Sequence, residues 1–135
     1  MRSAVLIAAL GVILLSGCGI NIKSADLFML TRTGQGQTLT MLVNDGGTIR
    51  CNGGHTRPLS SALLLQARDL ASALDKDVKA HTKFPPKANT VFSYKVALQD
   101  GTLSFADTSA ARHKELAEAE LFAVQAAARA CGIAA

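Results

Sequence analysis

TLTMLVNDGGTIRC, residues 38–51, decides how this chain folds. Leu39, Met41 and Val43 share one side of an extended segment, as the two-residue period of a half-buried strand requires. Asp45-Gly46-Gly47 follows, and glycine accepts the positive φ that tight hairpin turns need. TIRC then returns as another strand and ends at Cys51, where Gly53 and Gly54 break it. Upstream, DLFMLTRT (26–33) is rich in strand formers and is joined to the hairpin by the flexible turn GQGQ (34–37). The first half of the domain is therefore read as three antiparallel strands.

Downstream the period changes from two to three and four. Ser60 or Ser61 is placed to cap a helix by accepting from its first free N–H groups. Leu63, Ala67, Leu70, Leu74 and Val78 then form one apolar stripe, while Gln66, Arg68, Asp69, Asp75, Lys76 and Lys79 supply a polar side. Pro85-Pro86 forbids continuation. TVFSYKVALQ (90–99) alternates again, with Phe92, Tyr94, Val96 and Leu98 facing inward. Asp100-Gly101 makes a second hairpin turn, and TLSFAD returns with Leu103 and Phe105 on one face. Asp107, Thr108 or Ser109 can cap a last helix, whose expected seam is Ala117, Leu121, Val124, Ala128 and Cys131. Gly132 suits the position just past its end. The order β-β-β-α-β-β-α predicts an α+β domain over 25–133, an antiparallel sheet of about five strands with two helices on one face.

The N-terminus reads differently. Met1-Arg2 gives a positive start, and Ala4 to Leu15 carries no polar side chain. Twelve helical residues rise only about 18 Å, short of the roughly 30 Å hydrocarbon core. A signal-peptide core fits this length, and Ser16 and Gly17 fit a cleavage zone. Leu15-Ser16-Gly17-Cys18 resembles the lipobox of bacterial lipoproteins. That resemblance implies a diacylglyceryl group on the Cys18 thiol, cleavage of residues 1–17, and a tether over 18–24. Two acyl chains bury enough methylenes for stable anchoring to the bilayer on the extracytoplasmic side of the cell membrane.

The chain has three cysteines. With Cys18 carrying lipid, Cys51 and Cys131 remain as a pair, and an oxidising compartment favours their bonding.

Charge and composition exclude several classes. Fourteen Lys/Arg against ten Asp/Glu are scattered along the chain, with one Tyr and no Trp, so no basic, aromatic-bearing face for nucleic acid is expected. His55, His81 and His113 have no partner at metal-ligand spacing, and no Ser sits in a nucleophile-elbow pattern. Asp45 and Asp100 read as turn residues, and Glu115, Glu118 and Glu120 as the exposed side of a helix. No cofactor and no catalytic activity are expected. Lys76, Lys79, Lys83 and Lys87 cluster around the end of the first helix and its Pro-Pro loop. Lys76, Lys79 and Lys83 share a face if the helix extends that far, a candidate contact for anionic lipid headgroups or cell-wall polymer.

Two functional expectations follow. The first is a lipid-anchored, non-catalytic domain that binds an envelope protein or polymer. The second rests on TLTMLVN running towards a Cys and on the later hairpin VFSYKVALQDGTLSF, which are similar to the subtilisin-inhibitor family of secreted bacterial proteins. That family braces an exposed reactive loop with two disulfides. Here no Cys lies near Phe84-Pro85-Pro86, so no inhibitory residue is assigned.

Overall fold

The computed structural model describes residue 22 and residues 25–134; the expected leader, lipobox and Cys18 lie outside them. Strands β1 (Asp26–Gly34), β2 (Gln37–Asn44), β3 (Thr48–Cys51) and β4 (Thr56–Pro58) precede helix α1 (Ser61–Lys79). Strands β5 (Ser93–Leu98) and β6 (Gly101–Ala106) follow, then the short helix α2 (Asp107–Ala110) and helix α3 (Lys114–Ala126). Ala127–Cys131 continues α3 as a π-helical turn. All strand pairs are antiparallel, in the order β4-β3-β2-β1-β5-β6. The α+β architecture expected from the sequence is present, with six strands in place of about five.

The extra strand is β4. Its three residues are exposed and polar or proline, so no apolar alternation marks it. Pro58 donates nothing to a ladder, and an edge strand is where that is tolerated. The β1–β2 hairpin closes through Gln35 and Gly36, both at positive φ (53° and 72°). Such two-residue loops carry the twist of the flanking strands. β5 begins at Ser93, three residues later than its alternation suggested.

Phe28, Leu30, Leu39, Met41, Val43, Ile49, Tyr94, Val96, Leu98, Leu103 and Phe105 line the inner face of the sheet and are all buried. Leu63, Ala67, Leu70 and Leu74 of α1 close over them, with Val78 partly buried at the end of the stripe. The Ser60 side chain accepts from Leu63 N, as capping chemistry requires. The opposite face of the sheet carries no helix among the described residues. There Thr31 pairs with Thr40 and Lys95, and Thr33 with Thr38 and Ser93.

α3 departs from its expected seam. Its buried residues are Leu116, Ala119, Phe122, Ala123 and Ala126, whereas Leu121 and Val124 are 50% and 37% exposed and Ala117 and Ala128 lie outward. Two apolar stripes compete on this helix, and both satisfy the three-four spacing. Phe122 decides between them: its ring meets Phe28 edge-on at 5.5 Å, and a phenyl group removes more apolar surface from water than Leu121 does. Cys131 belongs to the expected seam yet is buried with the other stripe. The wider i→i+5 winding of Ala127–Cys131 lags the α-helical phase and carries Cys131 back over the core. Gly132, at φ 66°, then ends the helix as expected.

Candidate functional site

Cys51 and Cys131 are disulfide-bonded, with Cα atoms 5.9 Å apart. The bond ties the end of β3 to the end of the helical layer, across 80 residues of chain. The lysines do not form the expected row. α1 stops at Lys79, capped by Ala80, and His81 adopts a left-handed φ of 54°, so Lys83 leaves the helical face. Lys79 is committed to two acids, Asp75 at 2.6 Å and Asp100 at 3.3 Å. Its ammonium titrates above the usual lysine value, chiefly through the hydrogen bond to Asp75. Lys76, Lys83 and Lys87 are exposed. Asp45 lies in the β2–β3 turn, where Asn44 Oδ1 accepts from Gly46 N at 2.8 Å, and its own carboxylate pairs with Arg68 at 2.7 Å. His113 packs edge-on to the buried Phe84, ring centroids 4.8 Å apart. Among the described residues, no group of three or more His, Cys, Asp or Glu is placed to hold a metal ion.

The structure gathers a different set of polar groups, at the end of the sheet where β1 turns into β2. Arg32 lies on the core-facing side of β1, in register with the buried Leu39 and Tyr94. Its guanidinium sits 5.0 Å from the centroid of the Phe92 ring, a cation–π arrangement. Gly34 makes room for that ring: a Cβ there would run into the Val91 carbonyl and the Phe92 side chain. Arg32, Gln35, Gln37, Thr38, Asn52 and Phe92 line a cavity of about 430 Å3, with Leu39, Ile133 and Ala134 as further apolar wall. This volume lies in the range of small-molecule sites. Asn52, at φ 50°, is fixed from both sides: its N–H donates to the Thr40 carbonyl at 2.8 Å, and its Oδ1 accepts from Thr40 N at 2.9 Å.

Asp107 holds Phe92 in place. Oδ2 of Asp107 accepts from the N–H groups of Val91 and Phe92, each at 3.1 Å, and Oδ1 accepts from Thr108 N at 2.8 Å. Its own N–H donates to the Phe92 carbonyl at 3.0 Å. Asp107, Thr108 and Ser109, expected to offer the cap of the last helix, instead lie in the separate short helix α2, and α3 starts after His113 with no side-chain cap bond. The Asp107 carboxylate fastens the start of β5 to the end of β6. Asp107→Ala strands those donors, and a loss of about 2 kcal/mol in urea unfolding is expected, with Asp107→Asn in between.

Glu120, expected to be solvated, instead accepts from the Tyr94 hydroxyl at 3.2 Å. Tyr94 is stacked on Phe105 with centroids 4.9 Å apart. Burial, then the Glu120 charge, pushes the phenol well above its usual value of 10.0. A folded-state value raised above the unfolded one contributes stability that is complete below about pH 10 and is lost as the pH rises through the folded value. Stability is therefore expected to fall on the alkaline side of about pH 10, and Tyr94→Phe to flatten that slope. The chain has one Tyr and no Trp, so phenolate absorbance reports this group alone.

Sequence reasoning missed Arg32, although a signal was present. Arg32 shares the inward parity of Phe28 and Leu30, and a charged side chain on a core-facing position needs a reason. The chain matches no protein-family model, no curated protein and no solved structure.

Proposed function

We propose that this chain is a bacterial lipoprotein, anchored through acyl chains on Cys18 at the extracytoplasmic side of the cell membrane, whose domain is a non-catalytic binding module. The observation that carries this reading is the Cys51–Cys131 bond. Disulfides persist in oxidising compartments and are rare in the cytosol. Of three cysteines, this bond leaves one, and it stands at the fourth position of Leu15-Ser16-Gly17-Cys18. The partners in this reading are the bilayer and an envelope protein or polymer. Fractionation of expressing bacteria fed labelled palmitate tests it: the wild-type chain pellets with membranes, resists high salt and carries the label, whereas Cys18→Ser carries none. An unlabelled wild-type chain, or equal labelling of the two, would contradict the anchor.

A second reading, an inhibitor similar to the subtilisin-inhibitor family, is favoured by the irregular segment between α1 and β5, exposed from Pro85 to Asn89. Against it, Phe84 is buried and the segment carries no cysteine. Titration of a subtilisin-type protease separates the two: stoichiometric loss of activity supports inhibition, and undiminished activity rejects it.

A further inference from the structure

We infer that the cavity at the β1–β2 turn is a binding site for a small organic carboxylate, of the kind found at the free C-terminus of a short peptide. This deepens the binding-module reading by naming a ligand class, and it does not depend on the lipid anchor.

The charge pattern points to an anion. Arg32 is the sole charged side chain among the cavity's described lining residues, and it makes no ion pair within 4 Å among the described residues. The carboxylates that approach this end of the sheet are otherwise engaged: Glu120 accepts from the Tyr94 hydroxyl, and Asp107 from the N–H groups of Val91, Phe92 and Thr108. A guanidinium stacked on a ring keeps its N–H edge free and loses little freedom on binding, and its planar fork matches a carboxylate bidentately. Around it, the amides of Gln35, Gln37 and Asn52 and the hydroxyl of Thr38 can donate or accept at neutral charge. The Asn52 amide is already oriented, because Oδ1 is held by Thr40 N and its NH2 is left to point elsewhere. Phe92, Leu39 and Ile133 offer apolar wall to a short side chain.

Gln35 supplies an independent indication. It holds a left-handed φ of 53° in a two-residue hairpin, a position that Asn or Gly occupies with far less strain. Gln adds nothing to the turn that Asn would not, save one methylene of reach, and its side chain lines the cavity. The strain is accounted for if that reach is used on a ligand.

The test is titration of the full chain, in detergent micelles, with acetyl-alanyl-alanine and with its C-terminal amide, followed by the side-chain amide resonances of Gln35, Gln37 and Asn52. Saturable millimolar binding of the acid is expected, with the amide weaker by about tenfold or more, as loss of a charge-assisted pair requires. Arg32→Gln should weaken the acid to the level of the amide, and Arg32→Lys should fall between. Gln35→Asn should raise the melting temperature while weakening the acid by about threefold. The acid–amide comparison needs no variant, so a poorly folded substitution does not decide the matter. Absence of saturable shifts, equal binding of acid and amide, or full affinity in a folded Arg32→Gln would each overturn the proposal. None of these results bears on membrane attachment, which the fractionation of Cys18→Ser tests separately.

Discussion

Cys51→Ser combined with Cys131→Ser is expected to lower the unfolding free energy by about 4 kcal/mol, roughly a quarter or more of what a domain of this size commonly has. The two half-cystines are 80 residues apart, and the loop between them holds β4, α1, β5, β6, α2 and α3. Closing a loop of that length restricts the unfolded chain by about 4.5 kcal/mol in the chain-entropy model. Structure that persists in the unfolded state trims the figure. The folded state loses something as well. Cys131 sits at the end of the π-helical turn, and the bond holds that turn against β3. Without it, the last turn of the helical layer is free to fray while the rest of the core stays closed. The double variant has no odd thiol and is the cleaner comparison. Urea unfolding of the wild type with and without reductant should reproduce most of the difference, whereas coincident curves would show that the bond contributes nothing to stability.

Phe122→Ala carries the second large effect, about 3–5 kcal/mol. Phe122 is fully buried, packs edge-on to Phe28, and belongs to the stripe with which α3 faces the sheet. Truncation removes the transfer term of a phenyl group and leaves a cavity that the sheet cannot close around, because Phe28 is itself held in a paired strand. The neighbouring residue is the control. Leu121 is half exposed, so Leu121→Ala and Leu121→Lys are expected within about 0.5 kcal/mol of wild type. Had α3 buried Ala117, Leu121, Val124 and Ala128, the order of these two positions would be reversed. Chemical unfolding of the pair therefore checks the rotation of the helix directly.

That rotation shows where the sequence stops being legible. α1 could be read residue by residue, because Leu63, Ala67, Leu70 and Leu74 stand against a polar side and admit one orientation. α3 offers two apolar stripes, Leu116-Ala119-Phe122-Ala123-Ala126 and Ala117-Leu121-Val124, so spacing alone left two orientations, and tertiary packing chose. The π-helical turn that lets Cys131 share a face with Phe122 has no local signature. Five strands, β1, β2, β3, β5 and β6, were legible from alternation, strand-forming residues and glycine-bearing turns. β4 was not, since its residues pair through backbone alone and bury nothing. The cavity was the least legible part. Its lining comes from β1, the β1–β2 turn, β2, the residue after β3, the residue before β5 and the residues after Gly132, segments that only the fold brings together. Arg32 on an inward-facing position and Gln35 in a left-handed turn were the two traces it left in the chain.

The most direct test of the account as a whole is the intact mass of the full chain extracted from bacterial membranes. The expected species begins at Cys18, carries a diacylglyceryl group there, and is lighter by two hydrogens for the Cys51–Cys131 bond. A chain that still begins at Met1, or one whose Cys18 is unmodified, would contradict it.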